Sequence, residues 1–325
     1  MRTDNRIIVT GGAGFIGSAL VWRLNELGVD DILIVDRLDE TDKWKNLAPL
    51  KFADYVDADD FLDDLDLYED ADAVLHMGAC SSTTETDAEF MIRNNYQYTR
   101  DLAEWSTAKE IRFIYASSAA TYGDGSAGME DGTGKLNVLR PLNVYGYSKQ
   151  LFDQYAARNE LFYHIVGLKY FNVFGPNENH KGDMRSLVNK AFDEINATGA
   201  VGLFKSANPE YEDGEFGRDF VYVKDAVEMT LHFLENNTGG LFNVGSGRMN
   251  TWNALAAAIF KALGREPNIQ YVDMPEHLRD RYQYHTKADL TSIRDAGYTA
   301  ETTPLDESVA DYVRNYLIPG KHLGD

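Results

Sequence analysis

The chain has 325 residues, 44% of them hydrophobic and 26% charged, which excludes a disordered or fibrous protein and allows one large or two ordinary domains. Its net charge of −21 argues against nucleic acid and anionic membranes as partners, so a phosphate-bearing ligand must be held by local backbone donors and a few placed cations. No run approaches the roughly 18 apolar residues of a membrane helix, and the apolar stretch after Arg6 is too short for a signal peptide, so a cytoplasmic protein is expected.

In chain order, Arg6–Thr10 reads as a strand, Phe15–Leu27 as an amphipathic helix and Asp31–Asp36 as a second strand. Further strands are expected at Ala73–Met77, Arg112–Ser117 and His164–Tyr170. Apolar runs without alternation suit strands covered on both faces, and their alternation with helices predicts an α/β fold with a Rossmann-type doubly wound parallel sheet. The acidic run Asp57–Asp66 reads as a solvated helix face or cap. After Asn172 the pattern loosens. A helix is predicted over Met184–Asn196, a strand over Arg218–Val223, and helices over Trp252–Leu263 and Thr303–Tyr316. The expected design is a dinucleotide-binding domain over 1–172, to which some later segments return, and a smaller C-terminal α/β substrate lobe over 173–325. The single cysteine, Cys80, excludes an internal disulfide, and the seven histidines show no metal-ligand spacing, so no metal is expected.

Between the first strand and helix, Gly11, Gly14 and Gly17 form a GxxGxxG turn. Glycines let the backbone approach a pyrophosphate, whose charge meets the N–H groups of the helix N-terminus. Asp36 closes the next strand, 25 residues after Gly11, where an acid usually binds a ribose hydroxyl. Asp36 alone favours NAD. The adjacent Arg37 and nearby Lys43 can neutralise a 2′-phosphate, which tips the expectation to NADP while leaving NAD open.

Tyr145 and Lys149 stand four residues apart, one helical turn on the same face. An ammonium near a phenol favours the phenolate and turns a poor base into a usable one. Ser118, at the end of the run Ala116-Ser117-Ser118, supplies a hydroxyl for the same substrate oxygen. The glycine turn, the Ser-rich strand end and the Tyr/Lys pair, in that order, resemble the extended short-chain dehydrogenase/reductase family, whose members mostly act on sugar nucleotides. The resemblance implies that Ser118, Tyr145 and Lys149 are the catalytic triad. Dehydratases of that family carry Asp-Glu after the triad hydroxyl; here Ala119-Ala120 follows, and alanine can neither abstract a proton nor expel water.

More specific runs, Gly78-Ala79-Cys80-Ser81-Ser82-Thr83-Thr84, Asn94-Asn95, Phe171-Asn172-Val173-Phe174-Gly175-Pro176, His180-Lys181-Gly182 and Arg218-Asp219-Phe220, are similar to the branch of the family that epimerises C6 of an ADP-linked heptose for lipopolysaccharide inner-core synthesis. That resemblance implies an isomerase that oxidises and re-reduces one carbon, the alternatives being another sugar-nucleotide epimerase, such as a UDP- or GDP-sugar 4-epimerase, or a net-redox reductase of the same family; Lys181 would be the second acid/base or a ligand of the substrate diphosphate. It also implies cofactor contacts from Phe15, Ile16, Asp36, Arg37, Lys43, Met77, Gly78, Ala79, Cys80, Ser81, Asn94, Lys149 and Val173. ADP-heptose contacts are implied for Asn172, Asp183, Lys190, Phe204, Lys205, Ser206, Arg218 and Tyr282, together with a homo-oligomeric state. Cys80 is read as a packing residue beside the cofactor. The sequence departs from the branch at Ala58, where a lysine is expected, at Met77, and at Asp183 and Lys190; the polar stretch after Ser206 is longer.

Overall fold

A computed structural model of the chain describes residues 6–276 and 283–325. Seven parallel strands form the main sheet: β1 (Ile7–Thr10), β2 (Ile32–Asp36), β3 (Asp54–Asp57), β4 (Ala73–His76), β5 (Arg112–Ser118), β6 (Val166–Tyr170) and a later strand, Gly240–Val244. Their spatial order is 3-2-1-4-5-6, with Gly240–Val244 beyond β6. The first six give the doubly wound order, which reverses between β1 and β4 and opens a crevice at the carboxyl ends of those strands. β1, β2, β4 and β6 are buried at every residue, as two-sided coverage requires.

Helix α1 (Phe15–Glu26) buries Ala19, Leu20, Val21 and Leu24 and packs on α7 (Val223–His232). It ends where Gly28, at φ +81°, donates to the Asn25 carbonyl. The acidic run opens a short helix, α2 (Ala58–Asp63), whose N-cap is Asp57: its carboxylate accepts from the Asp59 N–H at 2.9 Å. A helical segment runs from α3 (Ala88–Met91) through a π turn over Ile92–Gln97 into α4 (Tyr98–Ala108). The π turn carries Asn94 and Asn95, and such bulges often mark functional sites. α5 (Val144–Arg158) starts at Asn143, whose side chain accepts from the Gly146 N–H at 2.8 Å, a cap worth about 1 kcal/mol.

Beyond β6 the chain forms β7 (Asn172–Phe174), α6 (Leu187–Thr198), β8 (Val201–Phe204), β9 (Gly217–Tyr222) and α7. Gly240–Val244, which is β10, is followed by β11 (Met249–Thr251), α8 (Trp252–Leu263) and β12 (Ile269–Val272), with further helices at Thr291–Asp295 and Leu305–Tyr312. β9 pairs in parallel with β7 and antiparallel with β11, and β8 pairs in parallel with β12.

Two predicted helices shift. The one expected from Met184 begins at Leu187, because Met184 closes a 3₁₀ turn and Ser186 is the N-cap, accepting from the Asn189 N–H. The one expected over Thr303–Tyr316 begins at Leu305, since Thr303 spends its N–H and hydroxyl on Asp225, and it passes into a π turn at Val313. β6 starts at Val166 rather than His164, whose N–H is taken by the Leu161 carbonyl in a preceding turn. No described helix is long and apolar enough to cross a membrane.

Candidate active site

A cleft of about 1020 Å³ lies over the carboxyl ends of β1, β2, β4 and β5. It is lined by Gly11, Gly14, Phe15, Ile16 and Gly17 from the glycine turn, and by Asp36, Arg37 and Lys43 after β2. Met77, Gly78, Ala79, Cys80 and Ser81 after β4 and Asn94 on the π turn join them, as do Tyr145, Lys149 and Lys181.

Gly11 adopts φ +66°, and a Cβ there would lie 2.6 Å from the Gly78 nitrogen, so the glycine loop and the loop after β4 meet backbone to backbone. A Cβ on Gly17 would lie 2.1 Å from the Gly11 carbonyl oxygen, which fixes α1 tightly against the turn. The first turn of α1 has no side-chain cap and no acidic residue, so its leading N–H groups and positive dipole face the cleft. This cradle fits a dinucleotide pyrophosphate. Asp36 is buried, and its carboxylate accepts from the Ala13 N–H at 2.9 Å, the Arg37 N–H at 2.7 Å and Lys43 Nζ at 2.9 Å. It thus shapes the glycine turn as well as the floor where a ribose would sit. Arg37 is divided between Asn94, at 3.0 Å, and a fork to both oxygens of Asp59.

At the inner end, a Cβ on Gly146 would lie 2.7 Å from the Ala120 carbonyl oxygen, so only glycine lets α5 close on the turn that follows Ser118. That approach brings Tyr145 beside Ser118. The Ser118 hydroxyl accepts from the Ala120 N–H at 3.1 Å. Burial raises the Tyr145 pKa above its ordinary value, and the nearby Ser118 hydroxyl pulls it back. Lys149 is 4% exposed and donates to the Ala116 carbonyl at 2.7 Å. Burial lowers its pKa to about 8, against the pull of the Asp153 carboxylate. His76, under the cleft between Thr10 and Thr99, is held neutral by burial and by the Lys149 charge, with its pKa lowered to about 3.

Lys181 lies within the 3₁₀ turn Asn179–Met184, which presents it 5.5 Å from the centre of the Phe15 ring, over the glycine turn. Burial lowers its pKa and the buried Glu178 opposes the shift. Glu178 in turn accepts from the Ser186 hydroxyl at 2.7 Å and the Gly175 N–H at 3.3 Å, tying down both ends of the segment that carries Lys181.

The residues expected to touch substrate are more dispersed. Asn172 lies on β7 next to Val173, which was expected at the cofactor and does not line the cleft, and Phe204 ends β8. Lys205 pairs with Asp273 at 3.0 Å, Ser206 donates to the Asn208 carbonyl, and Lys190 donates to the Asp183 carbonyl at 3.2 Å. Arg218, buried on β9, lays its guanidinium 5.8 Å from the Trp252 ring centre. Tyr282 lies outside the described residues.

Several residues that sequence reasoning passed over shape the site. Asn95 accepts from the Cys80 N–H and donates to its carbonyl, both at 2.9 Å, and donates to Ser148, so it clamps the loop after β4 to α5. His180 and Met184 also line the cleft. Buried Asp219 accepts from Ser246, Gly247 and Ala288 directly behind Arg218. Asn95, His180 and Asp219 sat inside quoted motifs; Asp59, within the acidic run, carried no signal beyond its charge.

The model of the NAD dependent epimerase/dehydratase family matches residues 7–245. This chain belongs to that family. Over 314 residues, 95% of the chain and 97% of its relative, this family member is 54% identical to the ADP-L-glycero-D-manno-heptose-6-epimerase of Nitratidesulfovibrio vulgaris (strain DP4). The crystal structure of the Helicobacter pylori ADP-L-glycero-D-manno-heptose-6-epimerase superposes with a TM-score of 0.80 at 30% identity, covering 96% of each chain. A UDP-N-acetylglucosamine 4-epimerase from Methanobrevibacter ruminantium M1 shares the fold, with a TM-score of 0.82 at 24% identity over 98% of this chain and all of that one.

Proposed function

We propose that this chain is the 6-epimerase that interconverts ADP-D-glycero- and ADP-L-glycero-D-manno-heptose, a step in supplying the lipopolysaccharide inner core. The observation that carries the reading is that Tyr145 and Lys149, one helical turn apart on α5, both line the inner end of the cleft that begins at the glycine turn, with Ser118 at the end of β5 beside them. The full-length likeness to relatives bearing that name selects the heptose among the family's substrates.

When bound, the nicotinamide dinucleotide supplies a reversible hydride acceptor, so one carbon is oxidised and re-reduced without net redox change. Tyr145 takes the proton of the C6 hydroxyl, and the Ser118 hydroxyl holds the same oxygen by a hydrogen bond. Lys149, protonated below a pH of about 8, favours the phenolate through its charge. Inversion requires a proton to be handled on the opposite face of the sugar, and Lys181, enclosed and with a lowered pKa, suits that task. Arg218 is a donor for the substrate diphosphate. The reading takes NADP as the cofactor. Arg37 and Lys43 both reach the cleft beside Asp36, and a 2′-phosphate offers Arg37 a stronger partner than the exposed carboxylate of Asp59.

The test is to incubate the purified protein with ADP-D-glycero-D-manno-heptose and resolve the two C6 epimers while following reduced cofactor. Conversion between epimers with no net change in reduced cofactor is the expected result. Net consumption of external NADPH, or no change at C6, overturns the reading.

A further inference from the structure

Directly beneath the reacting groups lies an ionic cluster. Asp153 and Lys169 form a salt bridge of 2.9 Å with their side chains 0% and 1% exposed. Asp153 is on α5, one turn beyond Lys149 and two beyond Tyr145, so the three share a helix face. Its carboxylate is fully engaged. Tyr115 donates to Oδ1 at 2.7 Å, and Ser117 and Lys169 donate to Oδ2 at 2.8 and 2.9 Å. Lys169 also donates to the Thr121 hydroxyl at 2.5 Å and lies 4.9 Å from the Tyr122 ring centre.

The placement of these donors is informative. Tyr115 and Ser117 flank Ala116 on β5, and strand alternation turns both side chains to the same face. Ala116 is the residue whose carbonyl receives Lys149. One carboxylate therefore grips the strand on both sides of the oxygen that positions the catalytic lysine. Lys169 extends the grip to β6 and, through Thr121, to the turn after Ser118. Such an arrangement is more than a fold requirement, since a well-packed apolar pair of similar volume would hold α5 against the sheet at least as well.

We propose that Asp153, held by Tyr115, Ser117 and Lys169, is the positioning residue of the site: it fixes the Ala116 carbonyl that orients Lys149 and places a carboxylate, paired with Lys169, one turn below that ammonium. The proposal rests on the reading of Tyr145 and Lys149 as the reacting pair. The groups that face Lys149 are Tyr145 and Asp153 on its own helix, Cys80 from the loop after β4 and His76 on β4 itself, with Lys169 adjoining Asp153 from β6. Of these, Asp153 is the group that holds the lysine's proton on, and Cys80 adds to it.

The test compares the parent enzyme with Asp153→Asn, and with Asp153→Asn/Lys169→Met, which leaves no orphaned buried charge if the single variant misfolds. Epimerisation is measured across pH, and the Lys149 titration is read by NMR of protein labelled with ¹³C at the lysine ε-carbon, assigned by Lys149→Arg. Asp153→Asn is expected to lower kcat by tenfold or more with little change in KM. The Lys149 midpoint and the alkaline limb of the rate profile are expected to move together by roughly one pH unit to lower pH, and in the same direction by less in the double variant. A folded variant whose Lys149 midpoint coincides with that of the parent overturns the proposal, whatever its rate. Tyr145→Phe separates the two levels: full turnover in that variant removes the underlying reading, whereas its loss beside an unmoved lysine removes the role of Asp153 alone.

Discussion

The molecule carries two ion-paired constellations around one cleft, and they are built in opposite ways. Asp153 and Lys169, at the inner end, are essentially inaccessible and every polar atom around them is spoken for. Arg37 and Asp59, at the outer end, expose 37% and 72% of their side chains. Desolvation makes the first pair rigid, because removing one partner of such a pair costs about 3–5 kcal/mol. Solvent makes the second cheap to exchange, since exposed pairs are worth about 0–1 kcal/mol. In the proposed mechanism the inner end holds a phenol and an ammonium in one geometry for every turnover, whereas the outer end only has to accept a ligand. The contrast indicates where substitution abolishes chemistry and where it retunes recognition.

The largest effect is expected from Tyr145→Phe, which removes the phenol proposed to take the hydroxyl proton beside Ser118. Epimerisation should fall by roughly 10²–10⁴-fold in a coupled assay, with the fold intact by circular dichroism. Lys181→Met comes next. As a second acid/base, Lys181 should cost about 10²-fold in kcat, whereas a ligand of the diphosphate would appear mainly as a raised KM. Steady-state kinetics on that variant therefore divides the two roles.

A third expectation concerns pH. The Lys149 pKa is depressed to about 8, and the lysine serves only while protonated, so the rate should fall as pH rises through about 8. Stability moves the other way. Between about 8 and the ordinary lysine value the unfolded chain binds the proton that the folded chain has lost, so this group makes unfolding harder as pH rises through that window. Denaturant melts at pH 8 and pH 10, run beside Lys149→Met, isolate its share; a parent enzyme losing rate and gaining this increment over the same window is the expected signature.

These contrasts also explain what the sequence disclosed. β1, β2, β4, β5 and β6 were legible because strands covered on both faces are mainly apolar without alternation, and the glycine turn because Gly11 and Gly17 meet backbone at distances no side chain allows. Tyr145 and Lys149 were legible because helical spacing sets them on one face and the glycine turn and the Ser-rich strand end precede them in the expected order. Asp153 lies four residues further on that face, yet its meaning depends on Tyr115, Ser117 and Lys169, separated from it by 16 to 38 positions. β10 was hidden for a similar reason: Leu241-Phe242-Asn243-Val244 is short and contains an asparagine, and only the groove beside β6 and the partners of Asn243, namely Tyr122, Met129 and Asp289, make it a buried strand. The region after Asn172 is built from three-stranded and two-stranded sheets with short, half-buried strands such as Met249–Thr251, so periodicity had little to act on there.

The smallest effect belongs to the outer constellation. Asp59 competes with any 2′-phosphate for Arg37, and it does so from the first turn of α2, where Asp57 already satisfies the Asp59 N–H. Asp59→Ala frees the guanidinium while leaving its bond to Asn94 and the Asp36–Lys43 pair in place. The dissociation constant for NADP, measured by calorimetry on cofactor-stripped protein, should improve by about fivefold at most, the range open to an exposed pair, and that for NAD should barely move. The gain should shrink as salt is raised, because a solvated pair and a phosphate contact are both screened. An equal gain for NAD and NADP would show that Asp59 acts through the general negative field of the cleft mouth, where Asp36, Asp39 and Asp59 lie together, and not through its hold on Arg37.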